Sequence, residues 1–302
     1  YSPVSSATLF NGDRLDLVNQ IYSTNTKAEL IVTSPPYNVG KEYEKKKPLE
    51  EYIIDQKETI EACLSVLSET GSICWQVGHY IEGTKKNKEA FPLDLVLYPI
   101  FKEFNLKLRN RIVWYFGHGL NENARFSGRH ETILWFTRDT DKYTFNLDPV
   151  RIPQKYPGKR SFRGSKVGQL SGNPLGKNPT DIWDMPNVKS NHVEKTGHPC
   201  QFPVALVARL VLALTNENDL VLDPYLGVGT TAVASILFNR RTAGSDIEQK
   251  YLDIARGRIE KAYIGELPYR PINQPVYQPD GKSSVSRIPD EWKNLLLLEQ
   301  EK

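Results

Sequence analysis

Residues 219–251 read DLVLDPYLGVGTTAVASILFNRRTAGSDIEQKY. Leu220 to Leu222 is a short apolar run, as a buried strand requires. It leads through Asp223-Pro224-Tyr225-Leu226-Gly227-Val228-Gly229-Thr230 into a helical pattern, and Thr242 to Ser245 forms a further strand that ends on Asp246. Glycines at 227 and 229 allow the backbone to pass close beneath a ligand where a Cβ would collide. Asp246 is then placed to accept hydrogen bonds from a ribose diol. This is the layout of a nucleoside-cofactor site at the carboxyl ends of parallel strands. A dinucleotide fingerprint needs a third glycine where this chain carries Ala232 or its neighbours, which makes nicotinamide or flavin a second choice. The chain has neither a complete Gly-x-x-x-x-Gly-Lys-Ser/Thr phosphate loop, Gly281-Lys282-Ser283 following Val276 where that loop needs its first glycine, nor a Gly-x-Ser-x-Gly nucleophile elbow.

Outward from this stretch the same alternation recurs. Leu30 to Thr33, Ile73 to Val77, Ile112 to Tyr115 and Thr132 to Thr137 read as buried strands. Helical spacing links Ile53, Ile60, Cys63, Leu64 and Leu67, then Leu93, Val96, Leu97 and Ile100, then Val204, Val207, Val211 and Leu214. The expected fold is α/β, a mostly parallel, doubly wound, Rossmann-like sheet covered on both faces. From Asp139 to Lys195 the rhythm breaks into Gly, Pro, Asn and Lys, which predicts an inserted recognition region. The expected division is 1–138 and 196–262 as two parts of one domain, 139–195 as the insert and 263–302 as a tail. That tail carries Pro268, Pro271, Pro275 and Pro279 and a short helical pattern from Trp292 to Leu298.

The composition is that of a globular protein: 302 residues, 39% hydrophobic, 25% charged, net charge +3. No apolar run is long enough to span a bilayer and the first residues lack the order of a secretory signal, so a cytoplasmic, nucleoid-associated address is expected, with no membrane partner. Cys63, Cys74 and Cys200 are far apart and the five histidines complete no zinc spacing, so no metal is expected. The net charge alone does not identify a nucleic-acid binder, but its distribution is informative. Lys155, Lys159, Arg160, Arg163 and Lys166 fall in a stretch, Arg151 to Lys177, without an acidic residue and interleaved with Tyr156 and Phe162. Such a stretch is either a solvated loop or a surface that tracks phosphates.

The strand at Leu30 ends in Thr33-Ser34-Pro35-Pro36-Tyr37. Alone, Ser-Pro-Pro-Tyr is a turn or a polyproline segment. Beside the glycine loop it carries chemistry. The two motifs together resemble those of the amino-group DNA methyltransferases that use S-adenosylmethionine. DPYLGVGTT, Asp223 to Thr231, is similar to that family's cofactor loop and TSPPY to its catalytic motif. HPCQFP, His198 to Pro203, is similar to the segment that helps hold the methionine end. NGDRLDLV, from Asn11, is similar to the segment in which an acid, here Asp13, meets the adenine amine. The order, catalytic motif first, is that of the permuted beta group, many of whose members belong to restriction-modification systems. Tyr225, Leu226, Val228 and Phe202 depart from the family's usual residues.

The resemblance implies site-specific methylation of double-stranded DNA with S-adenosyl-L-methionine, a cognate restriction endonuclease as functional partner, and leaves a homodimer open. Ser34, Pro35, Pro36 and Tyr37 become the catalytic group. The exocyclic amine is a poor nucleophile because its lone pair is delocalised. A Ser34 hydroxyl and a Pro35 carbonyl that accept its hydrogens aim that pair at the methyl carbon. Consecutive prolines hold the carbonyls rigidly, and Tyr37 offers a ring to an extruded base. Asp13, His198, Gln201, Asp223, Pro224, Tyr225, Gly227, Gly229, Thr230 and Asp246 become the cofactor set, with Asp223 either capping locally or meeting the methionine amino group. Arg125 and Arg129 join Lys155, Lys159, Arg160, Arg163 and Lys166 as DNA-binding candidates, and Gln154, Gln169, Asn173 and Asn178 as readers of base edges. The lysine-rich loop Gly40 to Pro48 reads first as solvated. Ser at the first motif position leans toward cytosine N4, with adenine N6 as the alternative. Pro199-Cys200-Gln201 is similar to the nucleophile of carbon-5 cytosine methyltransferases, but it precedes the glycine loop and lacks its partner motif, so Cys200 reads as a packing residue. The rivals from other classes are a protein glutamine methyltransferase, whose motif order would be reversed, and a non-catalytic DNA-binding module, which would leave Ser34 and the glycine loop without a role.

Overall fold

The computed structural model describes residues 1–41, 44–83, 89–119, 121–278, 287 and 289. Eight strands form one sheet, and the strand at Leu220 lies near its middle. In chain order these are β1 (Ala7–Asn11), β2 (Ala28–Thr33), β3 (Leu67–Val77), β6 (Lys107–Tyr115), β7 (His130–Thr137), β8 (Ile182–Asp184), β9 (Leu220–Asp223) and β10 (Arg241–Asp246). A separate two-stranded ribbon joins β4 (His79–Glu82) to β5 (Glu89–Pro92). Across the large sheet the order is β1-β10-β9-β2-β3-β7-β6-β8. All its pairs are parallel except β3 with β7 and β7 with β6. The chain leaves β9 toward β10 on one side and β2 toward β3 on the other, so the crevice between the ends of β2 and β9 is the topological switch point where α/β sheets bind ligands.

The helices are α1 (Arg14–Ser23), α2 (Leu49–Val66), α3 (Leu93–Glu103), α4 (Val204–Leu214), α5 (Thr230–Leu237) and α6 (Gln249–Tyr263). Successive strand residues point to opposite faces, and both faces are covered. Leu30, Val32 and Val221 pack with α4, α5 and α6 in one core cluster, while Ile31, Leu220 and Leu222 pack with α1, α2 and α3 in the other. The continuous apolar reading of β2 and β9 follows from this double burial, each fully buried Leu or Ile contributing about 1.5–3 kcal/mol.

The region from 139 to 195 is less of an insert than its composition suggests. β8 pairs with β6 through Val113↔Ile182, Trp114↔Trp183 and Tyr115↔Asp184, and Val150, Trp183 and Met185 belong to the core. The stretch that stands out from the sheet is 153–175, where residue after residue is exposed. The described start of the tail also joins the body. Leu267, Tyr269 and Ile272 pack on the core, and one buried carboxylate, Glu194, accepts both the Val204 N–H at 2.8 Å and the Arg270 N–H at 3.0 Å. The helical pattern from Trp292 to Leu298 lies outside the described residues.

Candidate active site

The two signature loops meet because their strands are neighbours: Leu30 pairs with Val221 and Ile31 with Leu222. At the strand ends the Thr33 hydroxyl donates to Asp223 Oδ1 at 2.6 Å, the Thr231 hydroxyl donates to Oδ2 at 2.6 Å, and the Tyr225 N–H donates to Oδ1 at 3.0 Å. Of the two roles left open for Asp223 the structure has the internal one, since the side chain is 1% exposed and both oxygens are taken. Burial pushes its carboxyl up to about 6, against these bonds.

Gly227 and Gly229 also separate. Gly227 (φ +53°) lines the crevice, and a Cβ there would stand 3.8 Å from His198 Nε2. Gly229 (φ +76°) was expected beneath a ligand, but a Cβ on it would come within 2.6 Å of Ala255 Cβ. Its smallness serves the packing of α5 against α6, which corrects that reading.

The crevice is a cavity of about 460 Å³. It is lined by Ser34, Pro35, Pro36 and Tyr37 from the first loop and by Pro224, Tyr225, Gly227 and Thr230 from the second. Asp13, His198, Gln201 and Asp246 line it too, which leaves Asp223 and Gly229 of the expected cofactor set off its wall. Asp13 also caps α1, accepting the Leu15 N–H at 2.8 Å, and pairs with Arg14 at 3.0 Å. Asp246 accepts the Gly227 N–H at 3.0 Å and the Glu248 N–H at 2.8 Å, and burial raises its carboxyl above the ordinary range. His198 Nδ1 accepts the Cys200 N–H at 3.2 Å and the ring stands edge-on to Tyr251. Gln201 braces its own loop, donating to the Glu194 carbonyl and accepting from the Thr196 hydroxyl. Cys200 is exposed and lines the crevice, so it is not the packing residue expected. Phe202 lines it as well.

Several contributors carry no motif. On α2, Gln56 donates to the Tyr225 hydroxyl at 3.3 Å while accepting from the Trp75 indole at 3.1 Å, and Thr59 shares a 3.0 Å bond with the same hydroxyl. The loop after Tyr37 is more than solvated: Glu44 accepts the Asn38 and Val39 N–H groups at 2.8 and 2.9 Å, and the Asn38 amide is tied to the Lys47 backbone in both directions. At the start of β7 Glu131 lines the crevice and accepts from Tyr37 Oη at 3.3 Å and from Gln76 Nε2. Its one local signal is a carboxylate at the second position of a strand that continues into an apolar run.

The basic candidates lie outside the crevice. Lys155, Lys159, Arg160, Arg163 and Lys166 are exposed, as are Tyr156 (66%) and Phe162 (80%). Arg125 pairs with Glu122 at 3.1 Å and Arg129 donates to Asn121 at 2.7 Å, on the loop between β6 and β7 that also carries the fully exposed Phe126. Of the expected base readers, Gln154 donates to the Asn173 carbonyl at 3.4 Å. Asn178 lies instead by a second, smaller cavity beneath Trp183 and Arg209. Among the described residues no group of three His, Cys, Asp or Glu could hold a metal ion, and no helix is long and apolar enough to cross a membrane.

A sheet with its switch point between a Pro-Pro loop and a glycine loop defines a Rossmann-like methyltransferase. The family described as DNA methylase, of the N6/N4 type, matches residues 28–257, and the chain belongs to it. It is 49% identical over 247 residues to type II methyltransferase M.BglII of Bacillus subtilis, covering 82% of this chain and 67% of the relative. It is 38% identical over 265 residues to M.ScaI of Streptomyces caespitosus, covering 86% and 83%. To the DNA adenine methyltransferase YhdJ of Escherichia coli K12 it is 30% identical over 259 residues, covering 84% and 83%. Among solved structures the PvuII DNA methyltransferase (cytosine-N4-specific) superposes with a TM-score of 0.63 at 17% identity, over 89% of this chain and 95% of that one. The M1.HpyAVI–SAM complex gives 0.57 at 20%, over 84% and 98%.

Proposed function

We propose that the chain transfers a methyl group from S-adenosyl-L-methionine to the exocyclic N4 of cytosine at a specific site in duplex DNA, protecting that site from a restriction endonuclease of the same specificity. The observation that carries the reading is the stitching of Thr33 to Asp223, which fixes the Ser34–Tyr37 loop against the glycine loop across one crevice. The residues present fit the cofactor. Gly227 leaves open the space that a Cβ would fill, and Tyr225 and Pro224 offer apolar surface for a base. Asp246 keeps lone pairs beyond its two amide bonds for a ribose, Asp13 can meet an amine, and the His198 loop closes the other end. Bound there, the cofactor supplies an electrophilic sulfonium methyl.

The chain's own work is orientation. Ser34 Oγ and the Pro35 carbonyl accept the two amine hydrogens, and the paired prolines keep that carbonyl from turning. The exposed basic strip at 155–166 and the loop with Arg125, Phe126 and Arg129 hold the duplex, and the target base is extruded to reach the crevice. Adenine N6 is the second reading, favoured by the likeness to a DNA adenine methyltransferase; Ser34 favours cytosine.

Radiolabelled methyl transfer to duplex DNA tests this. Wild type labels DNA, and Ser34→Ala loses about 100-fold or more in rate. Label on protein, or none anywhere, defeats the reading. Nucleoside mass spectrometry of DNA from a methylation-free host expressing the chain yields N4-methylcytosine; N6-methyladenine would select the alternative.

A further inference from the structure

Ser34 serves the substrate amine only as an acceptor, yet a hydroxyl donates as readily as it accepts. Something must fix its direction. Ser34 Oγ lies 3.2 Å from Tyr37 Oη, and Tyr37 Oη lies 3.3 Å from Glu131 Oε2. Gln76, 3% exposed, donates its amide N–H to the same Glu131 oxygen. Gly78 lets the group close up, since a Cβ there would come within 3.0 Å of the Tyr37 ring and 3.4 Å of Glu131 Oε1.

We propose that Glu131 is a positioning residue that fixes the polarity of the chain Ser34–Tyr37–Glu131, so that Ser34 presents its lone pairs and not its hydrogen to the substrate amine. This rests on the function proposed above. An ionised carboxylate is acceptor-only, so Tyr37 must donate to it. The Tyr37 oxygen then accepts the Ser34 hydrogen, and the Ser34 lone pairs are left for the amine. Without the ionised end both hydroxyls are free to reverse, and Ser34 would set a hydrogen against the amine's own. Both links are longer than an ordinary hydroxyl bond, as catalytic hydrogen bonds often are before substrate tightens them. An Asp at position 34 would be an acceptor without any such chain; Ser needs one.

Burial raises the Glu131 carboxyl above the ordinary range, opposed by the bonds from Gln76 and Tyr37 and by the charge of Lys189; burial and then the Glu131 charge raise the Tyr37 hydroxyl as well, opposed by its bonds with Ser34 and Gln76, with Cys200 adding a little to the rise. As pH falls through the Glu131 value the chain loses its acceptor end, and the rate falls with it.

The test is a set of isosteric variants of the intact chain. Glu131→Gln lowers kcat about 100-fold with KM for DNA and for cofactor changed by less than about threefold, and it abolishes the acid limb of the pH–rate profile. Ser34→Asp in the Glu131→Gln background recovers about tenfold or more, because the acceptor no longer needs orienting. Independently of turnover, infrared titration of the Glu131 carboxyl band in the protein alone moves to higher pH in Tyr37→Phe, which removes a donor but keeps the ring. A Glu131→Gln kcat within about threefold of wild type, a double variant no better than Glu131→Gln, or a band unmoved by Tyr37→Phe overturns the inference. A wild type that methylates no DNA defeats the functional reading instead.

Discussion

Asp223 closes β9 with a carboxylate that three donors hold and burial opposes. Its folded value, about 6, stands above the ordinary 3.8. The native state therefore keeps a proton that the unfolded chain releases between those two pH values. What Asp223 contributes to stability is greatest below about pH 4 and is lost as pH rises through about 6. Asn keeps the shape and cannot ionise. In urea unfolding followed from pH 4 to 7, Asp223→Asn gains on wild type as pH rises, by on the order of 3 kcal/mol; parallel curves for the two proteins would contradict this. The residue itself stood out in the sequence as the acid before the glycine loop. Its inward direction did not, because that depends on which strand lies beside β9 and on a threonine at its end.

Among elements, α5 shows how two glycines of one motif part company. Gly229 precedes α5 at a left-handed φ and backs onto Ala255 of α6. Gly229→Ala thus meets a close contact and a conformation costing about 1–2 kcal/mol for a side chain. The expected outcome is a loss of at least about 2 kcal/mol in denaturant unfolding. Gly227→Ala meets only an ordinary contact with His198, so its cost stays nearer to the conformational share alone while cofactor binding, read by calorimetry, weakens. Equal losses of stability would refute the distinction. Strands buried on both faces, β2 and β9, were legible as apolar runs. β1 is not, because its AlaThrLeuPheAsn run is only half-buried at an edge. β8 is three residues long with its outer two exposed, so only pairing with β6 reveals it. Nor does a linear pattern say that β7 runs against its neighbours; the chain turns back to it over residues 116–129, with no helix among the described ones.

For the molecule as a whole, the crevice and the basic strip divide the work. The strip lies outside the cavity, so charge there should act on DNA and not on cofactor. Replacing Lys159, Arg160 and Arg163 together by Gln is expected to flatten the slope of log K against log salt for DNA binding by roughly 2 to 3, with cofactor affinity unchanged. A slope that stays at the wild-type value would exclude this surface. The site's motifs were readable because each needs particular residue types within a few positions of one another. Glu131, Gln76 and Gln56 were not, since they reach the crevice from β7, β3 and α2 and nothing local announces that they converge.

The hydrogen bond from Thr33 to Asp223 spans 190 positions of chain. At ordinary rates of synthesis, about 5–20 residues per second, the ribosome needs roughly 10–40 s to make the strand that β2 must pair with. During that interval the Ser-Pro-Pro-Tyr loop exists without the acid that anchors its strand and without the crevice it faces. The chain made before β9 is thus an unfinished sheet with an open edge at β2, and the catalytic centre is complete only once β9 is in place.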